Sequence, residues 1–283
     1  MKTIALFLLL TTSLAAAEMQ VHRDIPYSDS MHELHRLDIY APIEGKDHPV
    51  LIWIHGGGWR QGDKTGVQRK SKTFVDRGFV FVSVNFRLRP EATVKEMTGD
   101  IAKAIKWIRT NAERYGGSAE NLFVAGASSG AHLAALVCTD ERFLEGEGIS
   151  LSHIKGCIPV DVSVYDIPKR LREGGSVPPG TFTAIFGESE ESQRDLSPVH
   201  HVGKEKGIAS FLILHVADRP ETRAQSEWFA ETLRKAGVSA TVIAAEGKNH
   251  GTISSDLGLP DDKPTNAIFE FLTMVLESPE KSR

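Results

Sequence analysis

Apolar residues fall into two kinds of pattern along this chain: short, nearly continuous runs, and longer stretches where they recur every third or fourth position. Val50–Ile54, Phe79–Val84, Leu122–Ala125, Ile154–Val160, Phe211–Val216 and Ala240–Ala245 are of the first kind, as expected of strands in a parallel sheet covered on both faces. His35–Tyr40 alternates polar and apolar and stops at Pro42, which predicts an early, half-exposed strand. Between the runs, Val94, Met97, Ile101, Ala104, Ile105 and Ile108 keep a 3.6-residue period and predict a long helix over Val94–Tyr115, ended by Gly116-Gly117. Further helices are predicted over Val67–Arg77, Ala131–Val137, Thr222–Ala236 and Asp262–Leu276, with Gly78 and Gly237 closing two of them. Strands alternating with helices predict an α/β fold with a mostly parallel central sheet and helices on both faces.

From Asp161 to about Gly207 the periodicity lapses. Pro168, Gly174-Gly175, Pro178-Pro179-Gly180 and the acidic stretch Glu188–Glu191 mark an irregular region. An unpatterned segment this long inside a domain is usually functional, and a small cap over a pocket, residues 161–207, is the expectation. No repeat or linker divides the rest, so residues 18–283 are expected to form a single domain.

The first residues have a different character. Met1-Lys2 is positive, Ile4–Leu10 is apolar, and Ala15-Ala16-Ala17 precedes Glu18. This is the layout of a secretory signal peptide over residues 1–17, with export to the periplasm or medium as the consequence. A short membrane anchor is the alternative, although the apolar run is too short to span a bilayer, so no stable membrane insertion is expected. Export would permit a Cys138–Cys157 disulfide, the chain's two cysteines, while two buried free thiols are the plainer expectation. The 283 residues are 41% hydrophobic and 25% charged, with a formal net charge of -4. That balance offers no footprint for nucleic acid and no polybasic patch for a membrane surface.

The chemistry converges on Gly126-Ala127-Ser128-Ser129-Gly130, which lies between a predicted strand and a predicted helix. A serine at the centre of G-x-S-x-G in that context is a nucleophile elbow, with the Ser129 amide opening the helix and free to face an anion. An exposed hydroxyl still needs a base, an orienting carboxylate and oxyanion donors. In a parallel sheet these belong at loops that follow strands on the same edge. Of the 11 histidines, His250 alone follows the last strand directly; His215 is inside a strand, His132 is in the helix behind the serine, and His200-His201 lies in the irregular region. Asp218 follows the Phe211–Val216 strand and keeps the hydrolase order Ser…Asp…His; Asp161 and Asp166, after the preceding strand, are the fallback, and Glu221 is a nearer rival. His55-Gly56-Gly57-Gly58-Trp59 leaves a buried strand, so the amides of Gly57 and Gly58 can join Ser129 as oxyanion donors. No metal or other cofactor is called for: His32-Glu33-Leu34-His35 has the wrong spacing for the H-E-x-x-H helix motif.

With His55–Trp59, Asn85–Leu88, Gly126–Gly130, Ser197-Pro198, Asp218 and His250-Gly251 in place, the chain resembles the α/β-hydrolases of the carboxylesterase and lipase type that carry an H-G-G-G-W segment. That group includes bacterial exported esterases of the acetylxylan and feruloyl type. The resemblance implies Ser128 as nucleophile, His250 as base, Asp218 as its partner, and Gly57, Gly58 and Ser129 as oxyanion donors. Phe86 stands where relatives usually have Tyr, Ser129 where they often have Ala, and Val216-Ala217 where they often have Gly and a polar residue. The expectation is a serine carboxylesterase for short-chain or aryl esters, free or linked to plant polysaccharide, with Trp59 and the cap region choosing the substrate. An amide-cleaving enzyme, such as an arylformamidase or peptidase, and a non-catalytic binding module are the alternatives.

Overall fold

Among the described residues eight strands hydrogen-bond into one sheet: β1 (Met19–Pro26), β2 (Arg36–Pro42), β3 (His48–Ile54), β4 (Val80–Val84), β5 (Gly117–Ala127), β6 (Ile154–Val160), β7 (Ser210–Val216) and β8 (Ala240–Ala245). Their order across the sheet is β1-β2-β4-β3-β5-β6-β7-β8. β1 and β2 run antiparallel to their neighbours, and every pair from β4 to β8 is parallel, so the expected mostly parallel α/β architecture is the one observed. The computed structural model describes residues 18–278, and the segment read as an export signal lies outside the described residues.

The described residues also form ten α-helices, between and after the strands: α1 (Lys70–Asp76), α2 (Val94–Asn111), α3 (Ser129–Val137), α4 (Glu141–Glu145), α5 (Ile167–Glu173), α6 (Pro179–Phe186), α7 (Glu190–Asp195), α8 (Pro220–Lys235), α9 (Thr252–Ser255) and α10 (Lys263–Glu277). α2, α3 and α8 cover one face of the sheet with the larger apolar core, and α1 and α10 cover the other. The six periodic apolar residues of α2 are all buried, and a full capping box at Thr93 and Glu96 starts the helix. Its last predicted turn is a separate 3-10 helix, Ala112–Tyr115, ended by Gly116 at φ 76°.

Two elements depart from the sequence pattern for physical reasons. β1 has no readable sequence pattern because it is an edge strand with alternation broken by an irregularity between His22 and Ile25. The stretch 161–207 is more regular than its prolines suggested and contains α5, α6 and α7. Pro168 and Pro179 sit in the first turns of α5 and α6, where the missing N–H costs nothing and the fixed φ suits a helix. Cys138 and Cys157 are buried free thiols. Burial, and then the neighbouring Cys138 thiol, push Cys157 well above its ordinary value.

Lys70 is only 1% exposed, with Nζ 5.0 Å from the centre of the Trp53 ring and 2.6 Å from Gln68 Oε1. Burial lowers its ammonium to about 8 from 10.5. The unfolded chain therefore holds a proton that the folded chain gives up across that window, and stability climbs with pH through it. Below the window the full burial penalty is present. Lys70→Met, close in volume, is expected to raise stability at pH 7 by about 2 kcal/mol once the lost cation–π contact is set against the gain, read as a higher urea midpoint.

Candidate active site

The site lies where β3, β5, β6, β7 and β8 end at one edge of the sheet. Ile54 pairs with Gly126, Ala127 with Val160, Val160 with Leu214, and Val216 with Ala245, so the residues that follow these strands emerge side by side. Ser128 leaves β5 in a strained conformation, φ 56° and ψ -123°, and opens α3. Its amide donates to Val160 O at 2.9 Å. The turn is tight enough that a Cβ on Gly130 would stand 2.2 Å from Ile54 O, which explains the second glycine of the motif.

Ser128 Oγ is 3.0 Å from His250 Nε2, which comes from the loop after β8. His250 Nδ1 is 2.6 Å from Asp161 Oδ2. Asp161 is thus the carboxylate against the imidazole, and the expectation for Asp218 is corrected. Asp218 is exposed in the turn after β7, and among the described residues its side chain makes no hydrogen bond or ion pair. Asp161 is instead the first residue beyond β6, directly beside Ser128, and it repeats the geometry of the serine. Its φ is 51° and its amide donates to Leu214 O at 2.8 Å. The carboxylate is 1% exposed and also accepts the Val216 amide on Oδ1 at 3.0 Å. Burial alone would push this carboxyl up. Hydrogen bonds from His250 and the Val216 amide, with the Arg219 charge, outweigh burial and hold it below its ordinary value.

The other acids weighed from sequence are occupied. Asp166 caps α5 by accepting from the Lys169 amide at 3.0 Å. Glu221 accepts from the Ser176 hydroxyl. The other histidines are placed elsewhere too: buried His132 donates from Nε2 to Leu196 O at 2.8 Å, and His215 donates from Nδ1 to Val216 O at 2.9 Å.

Above these groups is a cavity of about 520 Å³. Ser128, Ser129, Gly58, Trp59, Asp161 and His250 line its base, and Val162, Val164, Val177, Phe182 and Ile185 from the 161–207 region line its wall. Ser129 and Gly58 therefore border the cavity, and their amides have no acceptor among the described residues. Gly57 does not line it. Gly57 turns the chain behind Gly58, its carbonyl accepts from the Arg60 and Gln61 amides, and at φ 134° a Cβ would lie 1.9 Å from Gln61 O. Trp59 is buried at the base, with its ring edge-on to His132 and Phe186. Arg219, which the sequence reading did not single out, also lines the cavity and bonds Asp161. Its local sequence carries no signal; only the meeting of β6, β7 and β8 reveals it. No cluster of three or more His, Cys, Asp or Glu side chains among the described residues could hold a metal ion, and no described helix is long and apolar enough to cross a membrane.

Known proteins share this arrangement at the level of the fold. The chain is 30% identical over 256 residues to the probable isoprenylcysteine alpha-carbonyl methylesterase ICMEL1 of Arabidopsis thaliana, covering 85% of this chain and 52% of that protein. It is 30% identical over 238 residues to esterase LipQ of Mycobacterium tuberculosis, covering 80% and 55%. The chain thus spans about half the length of these relatives. Among solved structures, a truncated carbohydrate esterase from gut microbiota superposes with a TM-score of 0.77 at 21% identity, covering 92% of this chain and 97% of the other. The butyrate-bound Est2 esterase of Thermogutta terrifontis gives 0.70 at 23%, covering 93% and 95%. The family model that matches is BD-FAE, over residues 37–233, and because that match runs through well over half of the sequence, the chain belongs to the BD-FAE family.

Proposed function

We propose that this protein is a carboxylic ester hydrolase that works through an acyl-serine. The observation that carries the proposal is the unbroken line Ser128 Oγ, His250 Nε2, His250 Nδ1, Asp161 Oδ2, at 3.0 and 2.6 Å, on the floor of a cavity. His250 takes the hydroxyl proton as Ser128 Oγ attacks the ester carbonyl. The tetrahedral oxyanion faces the amides of Ser129 and Gly58. His250 then gives its proton to the leaving alcohol, and water repeats the sequence on the acyl-serine to release the acid. Asp161 holds the proton on Nδ1, so that Nε2 is free to accept, and stabilises the imidazolium as it forms.

For the substrate, the proposal is a short-chain or aryl ester, including acetyl or feruloyl groups on plant polysaccharide. The supporting features are the apolar wall, which suits an acyl or aryl group, the open mouth above it, and the likeness to a carbohydrate esterase. Export by way of residues 1–17 fits such a substrate. A fluorophosphonate probe is expected to label the protein on the peptide that carries Ser128. A panel of p-nitrophenyl acetate, methyl ferulate, acetylated xylan and an arylformamide then ranks the acyl groups. Absence of labelling, or faster turnover of the arylformamide than of every ester, would sink the proposal.

A further inference from the structure

The esterase reading employs Ser128, His250 and Asp161 and leaves one group against them unused. Arg219, in the loop after β7, donates from Nη1 to Asp161 Oδ2, and the same Nη1 lies 2.9 Å from His250 Nδ1. When Nδ1 carries the proton that it gives to Asp161, it has no lone pair for Arg219. The guanidinium and the imidazole are then two donors converging on one carboxylate oxygen. A fixed positive charge is held against the ring that must accept and return a proton.

Other charges face this group from each neighbouring element. Asp161 comes from the end of β6. Glu221, in the first turn of α8, has Oε1 3.8 Å from Arg219 Nη2. Arg170 of α5, on the cap side, feels the Arg219 charge, and Arg60 lines the same cavity beyond Gly58. On the loop of His250 itself, Glu246 is exposed, and Lys248 is bound 2.9 Å from Asp256 and 2.6 Å from Asp262. Asp218 points into solvent. Among the described residues Arg219 is therefore the one cation in direct contact with the imidazole, and Glu221 faces it from the other side.

We propose that Arg219 is a positioning residue of this site: it clamps the Asp161 carboxylate against His250 and so fixes the acceptor of the Nδ1 proton. This rests on the esterase reading. With that acceptor held, Nε2 stays aimed at Ser128 Oγ, 3.0 Å away. A merely structural arginine would move the melting temperature and leave kcat and the labelling rate of the folded protein alone.

The test is the rate of fluorophosphonate labelling of the folded protein, with kcat and KM for p-nitrophenyl acetate measured separately. Arg219→Gln is expected to lower kcat and the labelling rate by about tenfold with KM within about twofold, whereas Arg219→Lys, whose single ammonium can still donate to Asp161, loses only about threefold. Unchanged kcat and labelling in R219Q, or a loss carried by KM alone, overturn the proposal. Should R219Q fail to fold, R219K decides: a fall in kcat and labelling with KM unchanged supports the proposal and no fall overturns it. A starting protein that is not labelled removes the esterase reading and this inference together, while a labelled protein whose R219Q variant is labelled equally fast removes only the inference.

Discussion

Asp161→Asn is expected to lower kcat by about 10³–10⁴, while Asp218→Asn stays within about twofold of the starting protein. The fold should survive the first change, because Asn Oδ1 can still accept the Val216 amide that Asp161 accepts at 3.0 Å. What fails is the tautomer. Asn presents an N–H where Asp161 presented Oδ2, and Arg219 Nη1, already 2.9 Å from Nδ1, gains a lone pair to donate to. Both donors drive the imidazole proton to Nε2, where it faces Ser128 Oγ and blocks proton transfer. KM should change little, since Asp161 works behind the imidazole and the cavity wall is untouched. Equal losses in the two variants, or a loss confined to Asp218→Asn, would return the role to the β7 loop.

The contrast between those two aspartates shows how far the sequence carries. The strands that build the sheet were legible because burial on both faces forces nearly continuous apolar runs, and Ile154–Val160 and Ala240–Ala245 have the same bounds in sequence and structure. α2 was legible because a helix with one buried face must repeat every 3.6 residues. β1 was not, because an edge strand with few buried residues carries no such stripe. In the site, Ser128 and the segment at Gly57-Gly58 announce themselves through the glycines that close approach requires, and His250 through its place after the last strand. The carboxylate has no local signature, since an aspartate after a strand is equally a turn or cap residue. Choosing Asp161 needs two facts of register: Val160 pairs with Ala127, so the next residue on each strand lies beside the other, and the chain leaves β7 through a turn that carries Asp218 outward. Arg219 is a consequence of the same geometry. It turns inward at the position where the loop could have offered an acid, and it meets the carboxylate that β6 supplies.

Ser128→Ala is expected to reduce kcat by about 10⁴–10⁶ and to abolish fluorophosphonate labelling, with the melting temperature unchanged or slightly raised. The hydroxyl contributes little to folding: among the described residues it hydrogen-bonds only to a half-exposed imidazole, and both residue types bear the positive φ at similar cost. The sharper expectation concerns combination. Serine, histidine and carboxylate act as one device, since without Oγ there is nothing for His250 to deprotonate and no reason for Asp161 to hold its proton on Nδ1. S128A/D161N should therefore turn over no more slowly than S128A, although D161N alone costs orders of magnitude. Residual activity in both should be equal, because it comes from the cavity and the Ser129 and Gly58 amides, which neither change touches. If the two losses multiplied, Asp161 would be acting on something other than Ser128 through His250, and the line of contacts across the sheet edge would be packing rather than mechanism.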